Sequence, residues 1–216
     1  MAGSVVALVL LGARWRPVFE ECRGRAVEPG TPDAERCGEA AVRTLEADLA
    51  TLGRRTLAAG TQQALLADLE KLQQEALQVL NACDAVPPWG VEEWSMASKW
   101  LQGAMTLEIA RVIRTAPLPS DAAGGEEVLT TYRQQLDGAA TQMEGEIRAH
   151  WQGILADAKA RNVENRWTRL IEERVETLPE LPPPPPEPPR EDNAEGESLD
   201  EDGFLQFLEE MSEEEE

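Results

Sequence analysis

His150 is the sole histidine of a 216-residue chain that also holds three cysteines and 41 acidic residues. An active site or metal centre would have to be built from these side chains. One histidine cannot supply the His pairs of zinc sites, nor the paired Glu-x-x-His of di-iron helical bundles. The sequence contains no G-x-S-x-G, no H-E-x-x-H and no G-x-x-x-x-G-K-[ST]. In "DAAGGEE", the glycine pair is followed by Glu126 and Glu127, whose charge would repel a phosphate, so it reads as a loop. Glu92 with Glu93, and Glu172 with Glu173, read as solvated helix positions, because a working acid–base pair needs burial to separate its two pKa values. The expectation is a protein that is not an enzyme, with no catalytic, cofactor-binding or metal-binding residue.

Cys22, Cys37 and Cys83 are odd in number and form no CxxC, and their spacing is not that of a disulfide framework. Cys37 and Cys83 lie on or near apolar helix stripes, where a thiol behaves as a small buried hydrophobe. A reducing compartment, cytoplasm or nucleus, is therefore expected. The apolar run Val5 to Leu11 lacks a preceding Lys or Arg and is too short to span a bilayer. It reads as a buried first helix or strand, ahead of a cleaved mitochondrial or secretory targeting peptide, and membrane association is not expected.

The strongest binding signal lies in "LPPPPPEPPREDNAEGESLDEDGFLQFLEEMSEEEE", from Leu181 to Glu216. From Leu178 onward fifteen carboxylates face the single Arg190, a net −14 of the chain's −21, so the first 177 residues carry −7. Net negative charge on both parts, with Lys and Arg spread singly, argues against nucleic acid. A segment so rich in Pro, Glu and Asp buries too little apolar area to offset an ordering cost of roughly 1–2 kcal/mol per residue. Residues 179–216 are expected to be disordered when free.

Phe204, Leu205, Phe207, Leu208 and Met211 nevertheless cluster inside that charge. Phe204, Phe207, Leu208 and Met211 fall at offsets of three, four and seven, which puts them on one face if the segment coils on a partner. The acidic flanks keep the free peptide soluble and steer it to a basic rim. Gly203 and the terminal glutamates oppose an autonomous helix, so folding would be coupled to binding. Leu181 with the five prolines after it resembles the ligand of EVH1 domains; the run also suits SH3, WW or profilin-type partners, or a stiff spacer. "DGFLQF" resembles the acidic-flanked aromatic peptide of autophagy receptors. The candidate partner-binding residues are thus Leu181, Phe204, Leu205, Phe207, Leu208 and Met211.

The elements that would carry these features are marked off by fifteen prolines, eight of them in the tail. Pro17 interrupts the first segment. Thr31 is a helix N-cap, with Pro32 at the first helical position and Asp33 and Glu35 at the positive end of the dipole. Val42, Leu45, Leu49 and Leu52 then form an a/d seam. Gly60 is expected to end that helix in the left-handed conformation and Thr61 to cap the next, giving an antiparallel pair. Leu65, Leu69, Leu72, Ala76, Val79 and Cys83 continue the spacing, and "AVPPWG" breaks it. A third segment carries Trp94, Ala97, Leu101, Met105, Ile109 and Ile113 on one face, with Trp100 and Leu107 as a second contact surface. A proline-free run follows over 126–178. As one helix it would approach 80 Å, about 1.5 Å per residue, unless "ARNVEN" breaks it.

The resulting reading is all-α: an elongated helical bundle, coiled-coil-like, with one long C-terminal helix and a disordered Pro-rich acidic tail. Residues 1–30 are an N-terminal apolar segment, 31–178 the helical domain and 179–216 the tail. Three shorter helices cannot cover the whole of 126–178, so other protein subunits are expected to do so through helix packing. The tail would recruit a groove-type or polyproline-binding protein. The function expected is a scaffold or adaptor subunit of a complex. Alternatives are a transcriptional regulator using its acidic tail on a coactivator, or an organelle-imported helical protein.

Overall fold

The computed structural model describes residues 2–121 and 126–180, with side chains from residue 12 onward. These residues are all-α: α1 (Ala2–Arg23), α2 (Pro32–Leu52), α3 (Gln62–Cys83), α4 (Glu92–Arg114), α5 (Glu126–Ala160) and α6 (Arg166–Val175), with one 3-10 turn at Pro87–Trp89 before α4. Leu181, Phe204, Leu205, Phe207, Leu208 and Met211 lie outside the described residues.

The helix starts follow the sequence chemistry. Thr31 Oγ1 accepts from Ala34 N at 3.2 Å, and Thr61 Oγ1 accepts from Ala64 N at 3.3 Å. The ends differ from expectation. α2 stops at Leu52, well before Gly60, and Gly60 does not take a positive φ; among the described glycines only Gly30 and Gly90 do. The carbonyls of Gly53 and Arg55, beyond the end of α2, are instead satisfied by the Arg111 guanidinium of α4, at 3.2 and 3.1 Å. Pro17 does not interrupt α1, which runs through it. Ala13 and Pro17 are both exposed, so the carbonyl that loses its N–H partner faces water.

α4 is the hub, packing against α2, α3, α5 and α6, whereas α1 packs chiefly on α2. That placement explains why its buried set (Met96, Ala97, Ser98, Leu101, Gly103, Met105, Ala110, Val112) is wider than a single stripe. Trp100 and Leu107, expected to form a second contact surface, are partly buried against the same core, and Trp100 stacks on Trp151 of α5. The main core joins Phe19 and Cys22 of α1 to α2, the last turn of α3, α4, α5 and α6; a smaller cluster of Leu57, Leu65, Leu72 and Val112 lies where the rest of α3 meets the end of α4.

Small residues set how closely the helices approach. A methyl group on Gly38 of α2 would fall on the Trp94 indole, and one on Gly103 of α4 would fall on that of Trp151. Each glycine is a notch that admits a tryptophan from the neighbouring helix, which buries a large apolar ring without separating the backbones.

Residues 126–178 are two helices rather than one. Asn162 takes φ +55°, its N–H bonds Lys159 O at 3.2 Å, and Val163 N bonds Ala158 O at 2.8 Å, the paired bonds of a Schellman stop. Asn165 then opens α6 with a capping box shared with Thr168. The break lets α6 pack on both α4 and α5, placing Trp167, Ile171, Val175 and Leu178 in the core.

Cys22 and Cys37 form a disulfide with Cα atoms 5.8 Å apart, which corrects the expectation of unpaired thiols. Both are buried, at 2% and 0% exposure. Their spacing of 15 residues gave no sign of pairing, because the bond joins the last turn of α1 to the first turns of α2 and depends on how those helices dock. The reducing-compartment inference loses its physical basis with it.

Candidate functional site

Chemistry-bearing residues are scattered over the helices. His150 is exposed on α5, and among the described residues no three His, Cys, Asp or Glu side chains come together as metal ligands. Cys83 is buried, and its surroundings push its thiol up to about 12, chiefly by desolvation. Glu92 is held by Arg161 Nη1 at 2.8 Å, and the same guanidinium holds Asp157 at 2.8 Å. These groups line a surface cleft of about 330 Å³ with Pro87, Gly90, Ser95 and Lys99. A second cleft, about 230 Å³, lies between Arg148 and Glu180. There Arg148 Nη1 donates to Leu178 O at 2.8 Å, fixing the end of the described chain against α5, while its buried Nε has no partner. Both clefts are small and charge-paired.

The surface that stands out belongs to α5. α4 and α5 run antiparallel: Arg161 meets Glu92, Trp151 fills the Gly103 notch, and Arg114, in the last turn of α4, holds Asp137 at 2.8 Å and Glu144 at 2.6 Å. Glu144 and then Asp137 raise the Arg114 pKa against its partial burial, so that joint stays charged. α5 continues past it towards its own N-terminus. The first buried residue of α5 is Ala140, which leaves 126–139, about 21 Å of helix, with none.

Those turns are not polar all round. Leu129, Tyr132 and Leu136 continue the stripe that Ala140, Ile147, Trp151, Ile154 and Ala158 form further along, and Val128 stands at its edge. Val128 is 48% exposed; the other three are half-buried, and Tyr132 Oη donates to Pro117 O of the preceding connection at 3.4 Å. Among the described residues, Leu77 of α3 and Leu170 of α6 are the other large apolar side chains that are exposed, each on a separate helix.

Sequence reasoning located this stripe and expected the shorter helices to leave some of 126–178 uncovered, without placing the uncovered part. The capped break at 161–165 and the return of α6 confine it to the first turns of α5. No known family model matches the chain, and no curated protein or solved structure is significantly similar to it. Among the described residues no helix is long and apolar enough to cross a membrane.

Proposed function

We propose that the protein is a non-enzymatic helical scaffold or adaptor, an elongated, coiled-coil-like subunit that assembles through helix seams. The observation that carries this reading is the α5 stripe, whose apolar spacing continues beyond the end of α4 into turns with no buried residue. A stripe that a chain does not cover for itself is the usual mark of an interaction surface. The acidic 179–216 tail acts as a second recruitment element, with Leu181 and the proline run as a stiff arm and Phe204, Leu205, Phe207, Leu208 and Met211 as its anchor.

The test is affinity capture with the full chain as bait, alongside a Phe204→Ala/Phe207→Ala variant. The full chain should retain partners in stoichiometric amount, and the variant should lose one subset while keeping another. Recovery of the bait alone under gentle conditions would count against a scaffold.

A second reading, an imported or secreted helical protein, is favoured by the Cys22–Cys37 disulfide, because such bonds persist in oxidising compartments. Alkylating the chain in its source cells before lysis separates the two: a reduced pair removes this second reading.

A further inference from the structure

We propose that the uncovered turns of α5 pair with the same turns of a second copy of this chain, antiparallel about a two-fold axis. The inference rests on the scaffold reading and names its first partner. Three observations carry it. The stripe Leu129, Tyr132 and Leu136, with Val128 at its outer edge, runs on from the apolar face that α5 buries further along, so a helix laid along it meets the same kind of surface. α4 ends at Arg114, opposite Asp137 and Glu144, so among the described residues no helix lies beside the stripe where it continues; only the connection after α4 touches it, at Tyr132 and Pro117. The third observation is the order of charges along its edge.

Glu126 and Arg133 stand one heptad apart, on the same edge of the stripe, both exposed and both without an ion-pair partner among the described residues. In an antiparallel pair each edge faces its own counterpart, so an axis midway between residues 129 and 130 sets Glu126 of each copy opposite Arg133 of the other. The two contacts are equivalent, as an isologous interface requires. Val128, Leu129 and Tyr132 of both copies then meet around the axis. A parallel pair would face this edge with the opposite one, which carries Val128 and Gln135 and offers no charge to match. The complementarity therefore selects both the second copy as occupant and its direction.

Sedimentation velocity of the full chain over a concentration series tests the pairing. The chain should pass from monomer to dimer, and Val128→Glu should raise the midpoint of that transition by about tenfold or more. Far-UV circular dichroism should be unchanged, because Val128 is exposed. Glu126→Arg and Arg133→Glu should each weaken association, since each places two like-charged pairs across the axis, and the double variant should restore it. A chain that stays monomeric throughout, single reversals without effect, or a double variant that fails to restore association overturns the pairing. A monomer that still retains other proteins in the capture experiment overturns the pairing while the scaffold reading stands.

Discussion

The indoles of Trp100 and Trp151 lie face to face, ring centroids 5.0 Å apart and planes 16° from parallel, beside the Gly103 backbone. Trp151 is wholly buried and donates Nε1–H to Lys99 O at 3.3 Å. One glycine therefore governs how closely the hub helix and the longest helix approach, and with it the position of the uncovered α5 turns.

Gly103→Ala should destabilise the chain, although alanine is the better helix former by about 1 kcal/mol. Its methyl group would overlap the wholly buried Trp151 ring, which has no room to give, so the cost falls toward the upper end of about 1–3 kcal/mol and the net change is a loss of up to about 2 kcal/mol. Gly138 and Gly153, also helical, have open space where a Cβ would sit, and alanine there should add about 0.5–1 kcal/mol each. Urea midpoints decide it: if Gly103→Ala stabilises as the other two do, the notch does not set the helix approach. Near-UV circular dichroism should lose the stacked-indole signal only in the Gly103 variant.

The cysteines predict a thiol count. Native protein should react with no exposed-thiol reagent, denatured unreduced protein should show one thiol, Cys83, and reduction should reveal three. Cys37→Ala should cost about 2–4 kcal/mol, as expected for opening a loop of this length. Because the folded Cys83 thiol is pushed up to about 12 by burial, the unfolded chain releases its proton first as pH rises from about 9. Stability should then fall by on the order of 1 kcal/mol per pH unit across that window, and Cys83→Ala should flatten the fall. An alkaline limb that is identical in the variant would assign the loss to other groups.

Asp48 and Asp33 should tilt the acid limb in opposite directions. Burial raises the Asp48 carboxyl above its usual range even though Arg16 pairs with it, so the folded state holds that proton more tightly than the unfolded state does. Its contribution to stability decreases as pH rises through that window. Asp33 is lowered, first by its hydrogen bonds from Arg25 at 2.7 and 2.8 Å, and its contribution is present at neutral pH and lost on acidification. Denaturation midpoints measured from about pH 3 to 7 should show a steeper acid loss in Asp48→Asn and a shallower one in Asp33→Asn. At neutral pH Asp48→Asn should be no less stable than the parent; a clear loss would mean that the Arg16 pair outweighs burial.

How much of this was legible in the sequence depends on range. The Thr31 and Thr61 caps, the break at the prolines of "AVPPWG" and the spacing of the α3 and α5 stripes are local, and each shows in residue types a few positions apart. The Cys22–Cys37 bond, the hub role of α4 and the Gly103 notch are not local. They arise from which helices become neighbours, and a glycine in a helix gives no sign of the ring it will admit. Pro17 misled for a related reason: local geometry disfavours it inside a helix, but packing of the helix on α2 holds the segment together. The uncovered turns of α5 fall between these cases, since their spacing was visible and their limits depended on where α6 folded in.

Those limits depend on Asn162 and Asn165. Asn162 occupies the left-handed position that ends α5, and the Asn165 side chain accepts from Trp167 N at 2.9 Å and Thr168 N at 3.1 Å to begin α6. Asn165→Ala should cost about 1 kcal/mol, the usual loss for an N-cap. Asn162→Gly should be neutral or stabilising, because glycine takes positive φ freely, whereas Asn162→Val should be worse than either, because a β-branched residue strains there. Hydrogen exchange gives the discriminating readout. If the two caps hold α6 in place, Asn162→Val should raise exchange at 166–175 well before global unfolding, leaving the amides of α4 protected. Uniform exchange across α4, α5 and α6 would instead mean that the break does no more than join parts of a single cooperative unit.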